Sequence, residues 1–548
     1  MSVRSWRMSG LAMGALTLLS SAVMGAGFEW QVVVNNGFPV PGDGRTFNSY
    51  NQPSLNLRGL VVFRARSRGG TGGEPAHGVF ARDMSVGGPL RSIFGRETTV
   101  PHPNNLGTTF VEPPSFPRID IWSDTIASRG NHEPVWEYDI TPKTTTKAGT
   151  TGIYTNPFGN LITGASNLGA VPEFPFFAVP GTYAIKFDVF PGAPAVTDGA
   201  TLVFKGNHSV PNPSSGGLIS KTGVYCRNLT DAPAGGILPV TLIADTATRI
   251  PGTTALFGSV APPSAVGRAV VFAGFDNEQR PTKGGLYLAS LDGPSRALTT
   301  LVRIGGPVPG ETRGAFFNKL GEAVSFDGRF VAFWGAWGFE TRTLILRCEE
   351  EGNRDRVEYC QQMYPDGFQT RVPLRQGIFV ADTRTGQVWT VAKTGIDFDD
   401  FVYWNFSGRV PGAGDDTGEA ARWRSSSFVA VSGLADGRLT DGTFHAAFKA
   451  RTGEVVDGTY VDPIDGIYLR KGERLGTAAI ATVVETGMDG TRIDPEAVDP
   501  LTLGHLPVTS MGIERDGFRG DSLVVNVSMG TEEAGWAGIY LTHVPEGF

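Results

Sequence analysis

Two Gly-Asn-His triplets, ending at His132 and His208, are the residues whose type and spacing first suggest chemistry, in a chain that holds only 7 histidines. Tyr225 and Arg249 follow the second triplet, with Lys205 and Arg227 close by in sequence. Two imidazoles, a phenol and a guanidinium suit removal of a proton α to a carboxylate, the step that opens β-elimination in a uronic-acid polymer. The carboxylate charge must be offset by a cation or by hydrogen-bond donors. A base and a proton donor working near neutral pH are also needed. The expected catalytic residues are His132, His208 and Tyr225. Arg249, Lys205, Arg227, Asn131 and Asn207 are the expected substrate-binding residues. Each also has a plainer use: Gly-Asn-His is good turn chemistry, an aromatic stands at the position of Tyr225 in every repeat, and Arg249 reads equally as a surface charge.

These residues must be positioned by strands, and the strands recur. Gly followed by an apolar residue and an aromatic opens a strand seven times, at Gly78, Gly152, Gly223, Gly285, Gly377, Gly466 and Gly538. The period is about 70 residues, with two longer units. Ahead of most copies lies an apolar strand, such as LVVFRAR (60–66), LVFKGN (202–207) or FVAVSG (428–433). After most comes another, such as TLIADT (241–246), often followed by a Pro-Gly turn. Each unit therefore reads as four short strands a to d, the pattern of a β-propeller blade. A β-helix fits less well because its rungs repeat at a much shorter period. The polar segment between Cys348 and Cys360 lengthens one b–c connection, and residues 434–465 are expected to do the same in the next blade. The expectation is an all-β, seven-bladed β-propeller of four-stranded antiparallel blades, a single domain over 27–548.

The last copy, GIYLTHVPEGF, stops after its c strand, while FEWQVVVNNG near the start resembles a d strand. The N-terminal strand should complete the last blade and leave no open sheet edge. In such a blade the b–c and d–a connections share one face, so His132, His208 and Arg249 are expected on the same side.

Residues 1–26 carry Arg4 and Arg7 ahead of a short apolar run and small residues, the pattern of a secretory signal peptide. The run is too short to span a bilayer, so a secreted or periplasmic protein with no membrane attachment after cleavage is expected. In that compartment Cys348 and Cys360 are placed to form a disulfide, leaving Cys226 as a buried thiol. A net charge of −7 argues against a nucleic-acid partner. No Cys/His spacing resembles a zinc site. No cofactor is required by this chemistry. Asp397, Asp399 and Asp400, or Asp415 and Asp416, read as solvated loops or weak Ca²⁺ ligands, so structural Ca or Zn is left open, and a monomer is expected.

The repeat lettering and the order KGNH, KTGVY, TRIPG resemble the exported seven-bladed propeller proteins that include bacterial ulvan lyases. That resemblance implies a polysaccharide lyase acting on a uronate-containing anionic glycan such as ulvan. Carried over by position, it makes His132 and His208 base and acid, with Tyr225 assisting and Arg249 on the carboxylate. Two other readings compete: a non-catalytic surface propeller binding a glycan or protein, and a propeller glycoside hydrolase.

Overall fold

A computed structural model describes residues 27–548, apart from 70–74, 105–106, 133–135, 149–150, 183, 231–237, 294–296, 313, 351–353, 408–420, 436–437, 474–475 and 547. The proposed signal peptide, Asp415 and Asp416 lie outside the described residues.

Seven antiparallel sheets form a seven-bladed propeller, each built on a path of four strands, and in five of them a further short strand pairs with strand b. Blade 3 shows the plan: strand a is Ala195–Thr197, b is Thr201–Pro211, c is Leu218–Asn228 and d is Thr241–Asp245. The start of its strand b, Leu202 to Phe204, is apolar on both sides because both are covered. Leu202 and Phe204 pack with Ala127 and Ile153 of blade 2, and Val203 packs with Phe257 and Phe272 of blade 4. The ring closes as expected: Trp30–Asn35 forms the outer strand of blade 7, pairing antiparallel with Gly535–His543.

One register recurs in all seven blades. The c-strand glycines 78, 152, 223, 285, 377, 466 and 538 lie opposite Ala65, Gly130, Gly206, Gly274, Gly335, Ala450 and Val527 of strand b. Close approach explains the small residues. In blade 3 the Tyr225 ring folds back over Gly223, where a Cβ would meet Tyr225 Oη at 2.6 Å. Across the pair, Phe187 covers Gly206, whose Cβ would lie 2.7 Å from the ring. Phe187 and Tyr225 meet edge to face at 4.9 Å, the preferred geometry for such rings. Equivalent pairs are Phe47–Phe80, Phe110–Tyr154, Phe257–Tyr287 and Phe317–Phe379.

The inner strands contact one another around the axis, and buried polar bonds tie them across it. Arg118 of blade 2 donates from Nη2 to Asp516 Oδ1 of blade 7 at 2.7 Å and from Nη1 to the Pro263 carbonyl of blade 4 at 2.7 Å. The side chain is 1% exposed, so it spans the axis within the protein.

Three expectations are corrected. FVAVSG is not the b strand of blade 6: Val429–Ser432 is its innermost strand, and b is Phe444–Val456. Residues 434–465 therefore hold the a–b connection, strand b and the start of strand c (Thr459–Glu473) rather than one b–c insertion. The extra length before this blade is a hairpin, Tyr403–Ser407 with Arg422–Ser426, inserted between blades 5 and 6. His132 and His208 also lie within strands b, not in the connections after them. The disulfide forms: Cys348 and Cys360 are bonded, tying the blade 5 hairpin to the helix Arg354–Met363. Cys226 is a buried thiol outside the disulfide, its Sγ 3.1 Å from Thr241 Oγ1.

Gly223→Ala forces the Tyr225 ring from its seat, with an expected cost of ~1–3 kcal/mol, the range for overpacking. A chemical denaturation curve with an unshifted midpoint would contradict the steric account. Arg118→Ala leaves Asp516 paired with Arg519 alone and the Pro263 carbonyl without its donor, and an expected loss of ~1–3 kcal/mol should appear in the same measurement.

Candidate functional site

The expected catalytic residues are placed mainly in the core. His132 is 0% exposed. Asn104 Nδ2 lies 3.1 Å from its Nε2 and donates to Tyr154 Oη at 2.6 Å, while Ser166 Oγ donates to Asn104 Oδ1 at 2.8 Å. Burial pushes His132 from the ordinary 6.5 down to about 3, so the ring is neutral. His208 occupies the equivalent position in blade 3 and is 4% exposed, with its Nδ1 3.5 Å from Tyr225 Oη and its ring edge to face with Phe187. Burial lowers its pKa as well. Both histidines fall on the strand face that carries the aromatic seat, because they stand two residues beyond Gly130 and Gly206. The Gly-Asn-His echo is thus accounted for by a packing motif. Tyr225 is fully buried, and burial raises its hydroxyl.

Arg227 lies at the far end of strand c. It donates to the Leu238 and Gly164 carbonyls at 2.9 and 2.7 Å and stacks on Phe177 at 4.8 Å. It is a buried tie between blades 2 and 3, on the face opposite the b–c loops. Arg249 is exposed in the turn after strand d, bridged to Leu256. The structure therefore joins His208 to Tyr225, and it sets Arg227 at the other end of the blade.

Lys205, Asn131 and Asn207 fall on the other side of strand b, facing the next blade, and lead to a different constellation. The residue before each small b-strand residue is Arg64 in blade 1, Arg129 in blade 2 and Lys205 in blade 3, at one register position in three consecutive blades. Each reaches toward the following blade. Arg64 Nη2 lies 3.5 Å from Glu112 Oε2 of blade 2. Arg129 Nη1 donates to the Phe190 carbonyl of blade 3 at 3.0 Å. Lys205 faces Glu278 and Glu322 of blades 4 and 5, with Arg422 and Arg424 of the inserted hairpin beside them.

The crevice between blades 1 and 2 gathers further charged groups around Arg64. Arg66 and His77 pair across the strands, so their side chains share one face with Arg64. Arg66 Nη2 and His77 Nδ1 stand 3.7 and 3.9 Å from Glu112 Oε2. The Nε atoms of Arg64 and Arg66, His77 Nδ1 and Asn207 Oδ1 are buried without a hydrogen-bond partner. Burial, then the Arg66 charge, pulls His77 down to about 4; burial also takes Arg64 to about 10. Glu322 is open to solvent yet walled by protein. Burial raises it, and burial lowers Lys205 against the opposing pull of Glu322 and Glu278. Shifts of this kind, in groups that also cluster, mark candidate functional sites.

The loop aspartates are committed within the fold. Asp397 accepts from the Lys393 amide, Asp399 from the Gly453 amide, and Asp400 from Gln376 while pairing with Arg342. Among the described residues no group of three or more His, Cys, Asp or Glu side chains is arranged to hold a metal. Likewise, among them no helix is long and apolar enough to cross a membrane.

No known family matches the chain, and no curated protein does. Among solved structures it is similar to a puromycin-hydrolysing peptidase of Mycobacterium tuberculosis, with 8% identity and a TM-score of 0.28 over 92% of this chain and 61% of that one. It is also similar to a levansucrase mutant of B. megaterium, with 11% identity and a TM-score of 0.23 over 65% and 82%. The chain thus spans less than two thirds of the peptidase. Likenesses this weak carry no argument about function.

The neutral, buried His132 gives a pH signature. Its pKa is about 3 in the folded chain against 6.5 ordinarily, so the unfolded chain binds the extra proton between those values. The stability it contributes is complete above about pH 6.5 and is lost as pH falls toward 3. His132→Gln should flatten this part of the stability–pH curve in denaturant titrations. An unchanged slope would show that the imidazole is not held neutral.

Proposed function

We propose that the protein is exported and binds an anionic, uronate-bearing polysaccharide on the face that carries the b–c and d–a connections. The observation that carries this reading is the row Arg64, Arg129, Lys205, one register position repeated in three neighbouring blades, in a chain of net charge −7. Cations spaced along a path, rather than gathered at one point, suit a polymer with a carboxylate on successive units. Guanidinium donors pair well with carboxylates. Arg66, Asn131 and Asn207 extend the row toward the loops. The disulfide fits an oxidising compartment.

A second reading, cleavage by β-elimination, is favoured by His77. Its neutral imidazole stands beside Arg66, with Arg64 near both. A uronate carboxylate seated on the two guanidiniums would have its charge offset, acidifying the α proton, and His77 is placed to take that proton. The C–O bond to the leaving sugar then breaks, its electron pair stays on the oxygen, and the imidazolium or water returns a proton. A pKa near 4 makes a weak base. The arriving carboxylate partly cancels the guanidinium charges that depress it. In this reading the base is His77 rather than His132 or His208, both of which the fold buries.

Calorimetric titration with polygalacturonate, glucuronan and ulvan oligomers tests both readings. Arg66→Ala and Lys205→Ala should each weaken binding about tenfold, ~1.4 kcal/mol, and added salt should weaken it further. Equal affinity for a neutral glucan would remove the charge argument. Formation of an unsaturated uronate, followed by ultraviolet absorbance, separates cleavage from binding. His77→Gln should abolish that signal while leaving binding intact. Binding with no signal for any of these oligomers leaves a non-catalytic propeller.

A further inference from the structure

The long b–c hairpins of blades 5 and 6 and the inserted hairpin Tyr403–Ser407/Arg422–Ser426 border a half-open pocket of about 270 Å³. That size is close to the ~300 Å³ at the lower end of small-ligand pockets. Four aromatic side chains, Tyr403, Trp404, Trp423 and Tyr460, contribute to its wall, together with the polar Arg347 and Thr459. The wall is braced. The Ile345 amide donates to the Gly458 carbonyl at 2.7 Å, linking the two hairpins, and Tyr460 Oη donates to Asp400 while accepting from Arg342 at 2.6 Å. The Cys348–Cys360 disulfide lies next to Arg347 and holds the helix whose Tyr359 packs on Phe406 of the inserted hairpin.

The open groups of the lining point to a ligand. The ring faces of Tyr403 and Tyr460 are covered by Lys449, Arg342 and Arg451, whereas Trp404 and Trp423 are part-exposed and Arg347 is exposed. A pyranose ring matches two open indoles beside a guanidinium, offering an apolar C–H face to an aromatic ring and hydroxyl oxygens as acceptors around its edge. No carboxylate lines the pocket.

We infer that this pocket binds a neutral hexose unit of an oligosaccharide. The site uses none of the residues of the basic row, and the inference does not depend on the anionic-ligand reading. It is tested by calorimetric titration of the full mature chain with cellotriose, laminaritriose and maltotriose. At least one should bind, and Trp423→Ala and Arg347→Ala should each weaken that binding at least tenfold, while Lys205→Ala leaves it unchanged. Trp404→Leu keeps an apolar side chain and removes the flat ring. It should weaken binding severalfold, which covers the case in which Trp423→Ala fails to fold. No binding of any of the three at tens of millimolar concentration overturns the inference. So does binding that Arg347→Ala and Trp404→Leu leave intact, or that Lys205→Ala abolishes, since the sugar would then sit elsewhere.

Discussion

The pairing register of strands b and c is the constraint on which the rest of the molecule depends. An aromatic ring folded back over its own glycine, and a phenylalanine laid across the facing small residue, leave little freedom to slide. A slip of one residue would turn every side chain of the strand to the opposite face. Because the register is the same in all blades, any position counted from the glycine pair is equivalent around the ring. This is why Arg64, Arg129 and Lys205, unremarkable as separate letters, all face the following blade. It is also why His132 and His208, on the other parity, face the core.

The closed axis gives this arrangement a direction. Arg118 joins blades 2, 4 and 7 through Asp516 and Pro263, so the inner strands are fastened across the centre. Arg227 and its stacked phenylalanines seal the seam between blades 2 and 3 on the opposite face. The basic row, the crevice at His77 and the braced pocket of blades 5 and 6 all belong to the side of the b–c loops. On that side polar atoms remain buried without partners, from Arg64 Nε to the indole of Trp423. Buried polar groups without partners are costly, and the opposite side carries some as well, among them Trp389 Nε1, His445 Nε2 and Arg519 Nε.

Much of the fold was legible because its signal is repeated. Gly-apolar-aromatic marks strand c in every blade for a steric reason, and the missing last strand with a d-like segment near the start implied the closure that Trp30–Asn35 makes. Blade 6 was misread because FVAVSG has the lettering of a b strand, whereas its neighbours make it an inner strand. Lettering reports burial on both sides, which inner and second strands share. The site was less legible. Gly-Asn-His drew attention through residue type, but side-chain parity relative to Gly130 and Gly206 decides exposure, and that parity follows from the pairing partner. Aligning the repeats on the facing residue would have brought out Arg64, Arg129 and Lys205 together. Glu322, Arg422 and Arg424 meet Lys205 only through the fold, and no local pattern announces them.

The central claim is that this register lines up cations for a polymer of uronates. A crystal structure with a bound oligouronate tests it most directly. The account predicts sugar carboxylates on Arg64 and Arg66 and on Lys205, with the chain crossing from blade 1 toward blade 3 past Asn131 and Asn207. An oligouronate held instead at the outer rim beside Arg249, or on the face of Arg227, would contradict it.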